Sequence, residues 1–434
     1  KTYADGGNHQ IGTFSFWVKR TRQGADTEIL YRMTNGSHYF QFFFEDTDAF
    51  IVREYLGSNN IYIKTNRLFR DTNAWYHFVI RFDTTQSTAA DRVRIYVNGV
   101  QETSFDSATY PSQNANLYLG EQQTFNIGST GSANYFDGLM SHFHYCDGYS
   151  YDASSFGSTD ATTGEWKINT GPSVSYGTVG FWILKDGNTV TDSSPNSNNH
   201  TVSSGTLTNT EDCPDNVFCT LNSLGHASAN FTLIEGNTYS GGADNNWRSI
   251  FGTIGSGTGK YYYEVKCISS SDYERFGACT VDQHNKCQDS TGRYDDSTYG
   301  SEGYGYTSDG EKSNNGGTTG SYGDTWGAND ILSCAIDLDN NKIYFGKNGT
   351  WQNSGDPTSG STGTGAAYTI ASDKFYIPAF ASYGAAANLA FNFGNGYFRT
   401  TAISSEGTNA SGIGKFEYDV PTGYTAFSTK GLNE

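Results

Sequence analysis

WYHFVIRFDTTQSTAADRVRIYVNGV, residues 75–100, decides the fold class. Two runs of strand-type alternation, WYHFVIRFD (75–83) and VRIYV (93–97), flank a polar stretch, and Asn98-Gly99 follows the second run. Both central positions of a type I′ turn need φ > 0, which Asn and Gly tolerate best, so the spacing predicts a hairpin. Upstream, TFSFWVKR (13–20) puts Phe14, Phe16 and Val18 on one side and Ser15, Trp17 and Lys19 on the other, the pattern of a half-buried strand. HYFQFFF (38–44) and IYIK (61–64) are of the same kind, each bounded by Gly, Asn, Asp or Ser. This rhythm is that of an all-β sandwich. KIYFGKNGTW (342–351) repeats the device with Asn348-Gly349, which is shared turn physics and not duplication.

A chain of 434 residues exceeds what one hydrophobic core usually serves, so two sandwiches are expected. With 52 Gly, 15% aromatics, 7 Pro and 2 Met, it is built of short strands and tight turns over Tyr, Phe and Trp cores. The charge, 27 − 45 = −18, repels phosphate backbones and anionic lipid, which argues against nucleic acid and membrane as partners. No stretch approaches the ~20 apolar residues of a membrane-spanning helix. Lys1 is no initiator Met and no signal-peptide pattern follows it, so a processed or partial product is expected. Cysteines 146, 213, 219, 267, 279, 287 and 334 are odd in number, scattered and without Cys-x-x-Cys pairs; they read as buried packing thiols, against one or two disulfides formed outside the cell.

Between about 150 and 212 the chain turns Ser/Thr/Asn/Gly-rich, interrupted by VGFWILKDG (179–187), which is expected to add a strand to the first sandwich. TDSSPNSNNHTVSSG (191–205) then carries the chain across. TFSFWVKR, WYHFVIRFDTTQSTAADRVRIYVNGV and IGSTGSANYFDGLMSHFHYCDG (127–148) together resemble the laminin-G, concanavalin A-like fold. GKYYYEVK (259–266), RFGACTVD (275–282), GYGYTSDGEKSNNG (303–316), NDILSCAIDLDNNKIYFGKNGTW (329–351) and FYIPAF (375–380) resemble a SPRY domain. The expected organisation is therefore all-β, two tandem antiparallel β-sandwiches: a laminin-G, concanavalin A-like jelly roll at 1–190, a linker at 191–212 and a SPRY-like sandwich at 213–434.

The connecting segments 152–167, 191–201, 213–224 and 245–265 resemble linking sequences of tailed-phage virion proteins that carry this domain pair. That resemblance implies a structural component of the virion surface, extracellular, a fibre, spike or decoration protein. Its partners would be other virion proteins and a host-surface glycan or protein, with a homo-oligomer left open. It brings no established catalytic residue. A cellular glycan-binding adhesin is the alternative, and a polysaccharide depolymerase comes third.

Among candidate residues, His142, His144 and Cys146 alternate along one strand and could offer imidazole and thiolate to a metal, but no fourth ligand is evident. They read instead as a polar outer face opposite buried Phe143 and Tyr145. The loop 283–302 gathers Asp289, Asp295 and Asp296 with Tyr294 and Tyr299, a set that calcium or sugar could use, but that a solvated loop explains better in a chain this acidic. Trp326 lies in a Gly-rich loop. Trp326, Tyr294 and Tyr299 are the expected ligand-binding residues, since both sheet faces look committed, one to core and one to solvent. EDTD (45–48) reads as a solvated strand end, GxSxG does not occur, and no tight acidic strand motif suggests glycoside hydrolysis. The reading is a binding protein, not an enzyme, with no cofactor and no metal.

Overall fold

Both Asn-Gly turns close hairpins. Asn98 and Gly99 take φ of 48° and 81°, Asn348 and Gly349 47° and 79°, and Val97 faces Val100 as Lys347 faces Thr350. The computed structural model describes all residues except 3–5, 36, 121–123, 186–188, 225–230, 243–245, 271–273, 288–292, 299, 384–386 and 434. Two units are distinguished, Lys1–Asn209 and Thr210–Glu434.

The first unit pairs two six-stranded sheets. The first sheet runs Phe181–Ile183, Gly138–Asp147, Ile11–Arg20, Trp75–Asp83, Val93–Val97, Val100–Gln101. The second runs Phe125–Ile127, Thr27–Asn35, His38–Phe44, Ala49–Leu56, Asn59–Leu68, Phe105–Thr109. Alternation sends Phe14, Phe16, Phe42, Phe78 and Phe82 between the sheets, where Phe16 stacks on Phe143 at 5.0 Å and Phe14 on Tyr145 at 4.4 Å. Burying each such ring contributes roughly 1.5–3 kcal/mol of transfer free energy. The VGFWILKDG segment does add an edge strand, 181–183 pairing with 143–145.

The strand at 11–20 is not half-buried, however: Thr13, Ser15, Trp17 and Lys19 on its far side are as inaccessible as Phe14 and Phe16. The cover is the segment after residue 150, whose Ala153, Phe156, Tyr176 and Trp182 form a second apolar layer with Val79, Tyr96 and Cys146. Trp166 closes over the hairpin so tightly that a Cβ on Gly99 would lie 2.3 Å from its ring. The polar stretch after 190 is likewise bound to this unit. Asp192 accepts from the amides of Trp182, Ser194 and Asn198, and the Asn196 and Asn198 side chains donate to the Gly180 carbonyl. Polar side chains that satisfy backbone groups hold a segment which lacks the apolar residues to hold itself.

In the second unit, a nine-stranded sheet centred on Lys260–Ser269 and Ile331–Asp337 belongs with a six-stranded sheet, Trp247–Phe251, Tyr376–Tyr383, Arg275–Thr280, Gly303–Thr307, Glu311–Asn314, Gly317–Ser321. Val265, Phe276, Leu332, Phe345, Phe380 and Phe391 are among its core. All seven thiols are free.

A candidate binding face

Two of the three loop aromatics expected to meet ligand, Trp326 and Tyr294, are core residues. Trp326 is 4% exposed and meets Phe276 edge-on at 6.0 Å. Its amide donates to the Ser308 carbonyl, which folds the Gly-rich loop back over the end of the sandwich. Tyr294 is 0% exposed, packed in a cluster with Phe251, Cys279 and Ile377, its amide donating to Ser249 Oγ. A Cβ on Gly305 would lie 2.3 Å from the Tyr294 hydroxyl, so the glycine admits the ring. Tyr299 and Asp289 lie outside the described residues. The segment opens with a helix, Val281–Cys287, and Asp295 is no hard-ion ligand in solvent: it is wholly buried and pairs with Arg275 at 2.6 Å and Arg293 at 3.3 Å.

Asp48 of EDTD is also structural and not a solvated end. Nearly buried, it pairs with Arg20 at 3.1 Å and Arg70 at 3.0 Å. His142, His144 and Cys146 do not form a polar outer face either, since the added layer buries all three, although Phe143 and Tyr145 are core as expected. His144 hydrogen-bonds the Tyr176 hydroxyl at 2.9 Å and stacks on Trp182 at 4.8 Å. Among the described residues, no group of three or more His, Cys, Asp or Glu is arranged to hold a metal.

A serine–histidine contact exists beneath the same layer, Ser15 Oγ to His77 Nε2 at 2.9 Å. Its polarity is wrong for a general base. The Trp166 indole N–H, a donor only, points at His77 Nδ1 at 3.0 Å, so Nδ1 carries the lone pair and Nε2 the hydrogen, which it donates to Ser15. Burial pushes the His77 imidazole down to about 3, and the pair is sealed from solvent.

The outer side of the second sheet, the face that the residue pattern assigned to solvent without a function, carries a set of half-buried rings around the buried Gln41 and Ile51. Register places its side chains in rows. Tyr31 lies opposite Gln41, Gln41 opposite Arg53 and Arg53 opposite Tyr62. Beside them Met33 faces Tyr39 and Tyr39 faces Tyr55, while Phe43, Ile51 and Lys64 form a third row. Directly opposed residues share a face, and these alternate along their strands with inward Phe40, Phe42, Val52 and Ile63. Tyr31 and Tyr39 stack at 6.0 Å, Tyr39 and Tyr55 at 5.2 Å. The Arg53 guanidinium sits 5.1 Å from the Tyr39 ring, 5.0 Å from Tyr55 and 5.8 Å from Tyr62. All four tyrosines and Arg53 are half-buried.

Burial first, then nearby carboxylates (Glu28 for Tyr31, Glu45 for Tyr62), raises the Tyr31 and Tyr62 hydroxyls, which stay neutral donors. Lys64 is neutralised by Glu45 at 2.7 Å and Asp106 at 3.7 Å. Arg53 donates through Nε to Asn59 Oδ1 at 3.0 Å and has no carboxylate partner among the described residues. Sequence reasoning missed this face, though its signal was present: aromatics at alternate positions on both sides of Phe40 and Phe42 leave rings on the side that should be polar.

Residues 4–149 match the concanavalin A-like lectin/glucanases superfamily, and residues 260–396 match the SPRY domain. The chain thus carries a concanavalin A-like domain followed by a SPRY domain, the tandem of antiparallel sandwiches expected from its sequence. Similar solved structures include the SPRY domain of human HERC1, at 13% identity over 40% of this chain and 93% of that one with a TM-score of 0.30. A human SPRY domain is similar at 13% identity, covering 37% and 94%, TM-score 0.28. Domain 4 of AbnA, a GH43 extracellular arabinanase from Geobacillus stearothermophilus in complex with arabinotriose, is similar at 16% identity, covering 34% and 64%, TM-score 0.27.

Proposed function

We propose that this chain is a non-catalytic surface component of a tailed-phage virion, a fibre, spike or decoration protein, that binds host-surface glycan through the outer face of the second sheet in its first unit. The observation that carries the binding reading is the row Tyr31, Tyr39, Tyr55 with Arg53 set among the rings. Tyrosine offers apolar area and a hydroxyl at small entropic cost, and rings standing on a rigid sheet need no ordering on binding. Concanavalin A-like and SPRY domains are often carbohydrate- or protein-binding, which agrees with this role. The virion half rests on the likeness of the connecting segments to those of phage virion proteins. The reversed polarity of the Ser15–His77 contact supports binding without hydrolysis.

Replacing Tyr39 and Tyr55 together by Ala should lower retention on host cells at least tenfold, because anchors of this kind commonly contribute ~2 kcal/mol or more, while the melting temperature holds. Undiminished retention by a folded double variant removes the face as the binding site. Mass spectrometry of purified virions should find the polypeptide; its absence from the particles ends the virion half.

A further inference from the structure

Resting on the reading of this face as a glycan site, we infer that its ligand is an acidic glycan, and that Arg53 receives the sugar carboxylate. The second sheet carries two cations on its outer side, and the structure treats them differently. Lys64 is held between Glu45 and Asp106 and has no charge to spare. Arg53 is held by three aromatic rings and one amide oxygen, through Nε alone. Its two terminal nitrogens are the fork that matches a carboxylate bidentately, and neither is buried without a partner. In a chain of net charge −18, Arg53 keeps its terminal nitrogens without a carboxylate partner among the described residues, which lets them receive an anionic group.

The rings fix the guanidinium plane, so a carboxylate docks without ordering a long side chain first. The surroundings are hydroxyls of Tyr31, Tyr39, Tyr55 and Tyr62 with the amide of Asn59, while Gln41 is buried beneath them, a polar rim suited to sugar hydroxyls more than to an apolar peptide anchor. The global charge sets the other limit. A densely anionic polymer is repelled by the molecule as a whole, whereas one carboxylate per repeat lets a single charge reach Arg53 between neutral sugars.

The test is calorimetry on the intact chain with two probes, a uronate-containing and a sialylated oligosaccharide, each beside its carboxyl-reduced neutral counterpart. At least one acid should bind ten to a hundred times more tightly than its reduced form, the range of a charged hydrogen-bonded pair. Arg53→Gln should erase that ratio, bringing the affinity for the acid to that for its reduced form in the same variant, and Arg53→Lys should restore part of it, with melting recorded for each variant. Equal affinity for acid and reduced forms, still lost in the Tyr39/Tyr55 double variant, keeps the glycan face and overturns the role of Arg53. Failure of every acid to bind overturns the inference, and retention on host cells that survives glycan removal but not protease overturns the glycan reading with it.

Discussion

Trp326 shows how a side chain's neighbours outweigh its local sequence. It sits among glycines in GSYGDTWGAND, where an exposed ring is a reasonable expectation, yet it fills the end of the second sandwich against Phe276. Its indole is worth more as a plug than as a platform, since a sandwich needs large apolar groups where its strands splay. Trp326→Ala should therefore cost about 3–5 kcal/mol, lowering the melting temperature of the second unit by roughly 10 °C. Differential scanning calorimetry checks this, and a change of under a couple of degrees would return the ring to the surface. Binding through the tyrosine face should be untouched in the same variant.

At the scale of elements, the added layer over the first sheet decides the response to acid. Burial, then the charge of His142, holds the His144 imidazole well below its ordinary value; burial likewise takes His77 to about 3 and His200 to about 4. His200 belongs to the polar stretch and packs edge-on against Phe181 at 4.4 Å. Each stays neutral in the native state and takes a proton on unfolding, so the unfolded state binds more protons below about pH 6.5. The stability they confer is complete above that pH and is lost as pH falls, each by up to ~2 kcal/mol at pH 5. Glu28, raised well above its ordinary range by burial and then Asp26, works in the opposite sense. The melting temperature of the first unit should fall from pH 7.5 to pH 5, and the His77 and His144 ring protons should show no titration by NMR over that range. Titration near pH 6.5 in the folded protein would mean that the layer does not seal them.

For the whole molecule, the place where the chain can be cut follows from what holds each stretch down. Residues 191–200 lack apolar anchors in sequence, but Asp192, Asn196, Asn198 and His200 tie them to the first unit. Residues 201–207 are exposed throughout, just before the division at Asn209. Limited proteolysis should cut within 201–207, spare 191–200 and yield two resistant fragments. A first cut inside 191–200 would show that the Asp192 network does not hold, and unfolding of both fragments would deny the units independence.

Local physics determined much of this protein from sequence alone. Alternation at 38–44 and 75–83 and the φ > 0 demand met by Asn98-Gly99 and Asn348-Gly349 act over a few residues, so the strands and hairpins were legible, as was the tandem of sandwiches. Tertiary structure alone decided which face meets solvent. Period-two alternation says that two sides differ, but a sheet's outer side is wet or dry according to what later chain lies on it, and residues 150–183 dried one sheet while the other stayed open. His77, His144 and Trp17 thereby became interior, Trp326 and Tyr294 became plugs, and Tyr31, Tyr39, Arg53 and Tyr55 became neighbours only through the register of three strands. Cover and register are contacts between segments far apart in the chain, and no single segment contains the information that sets them.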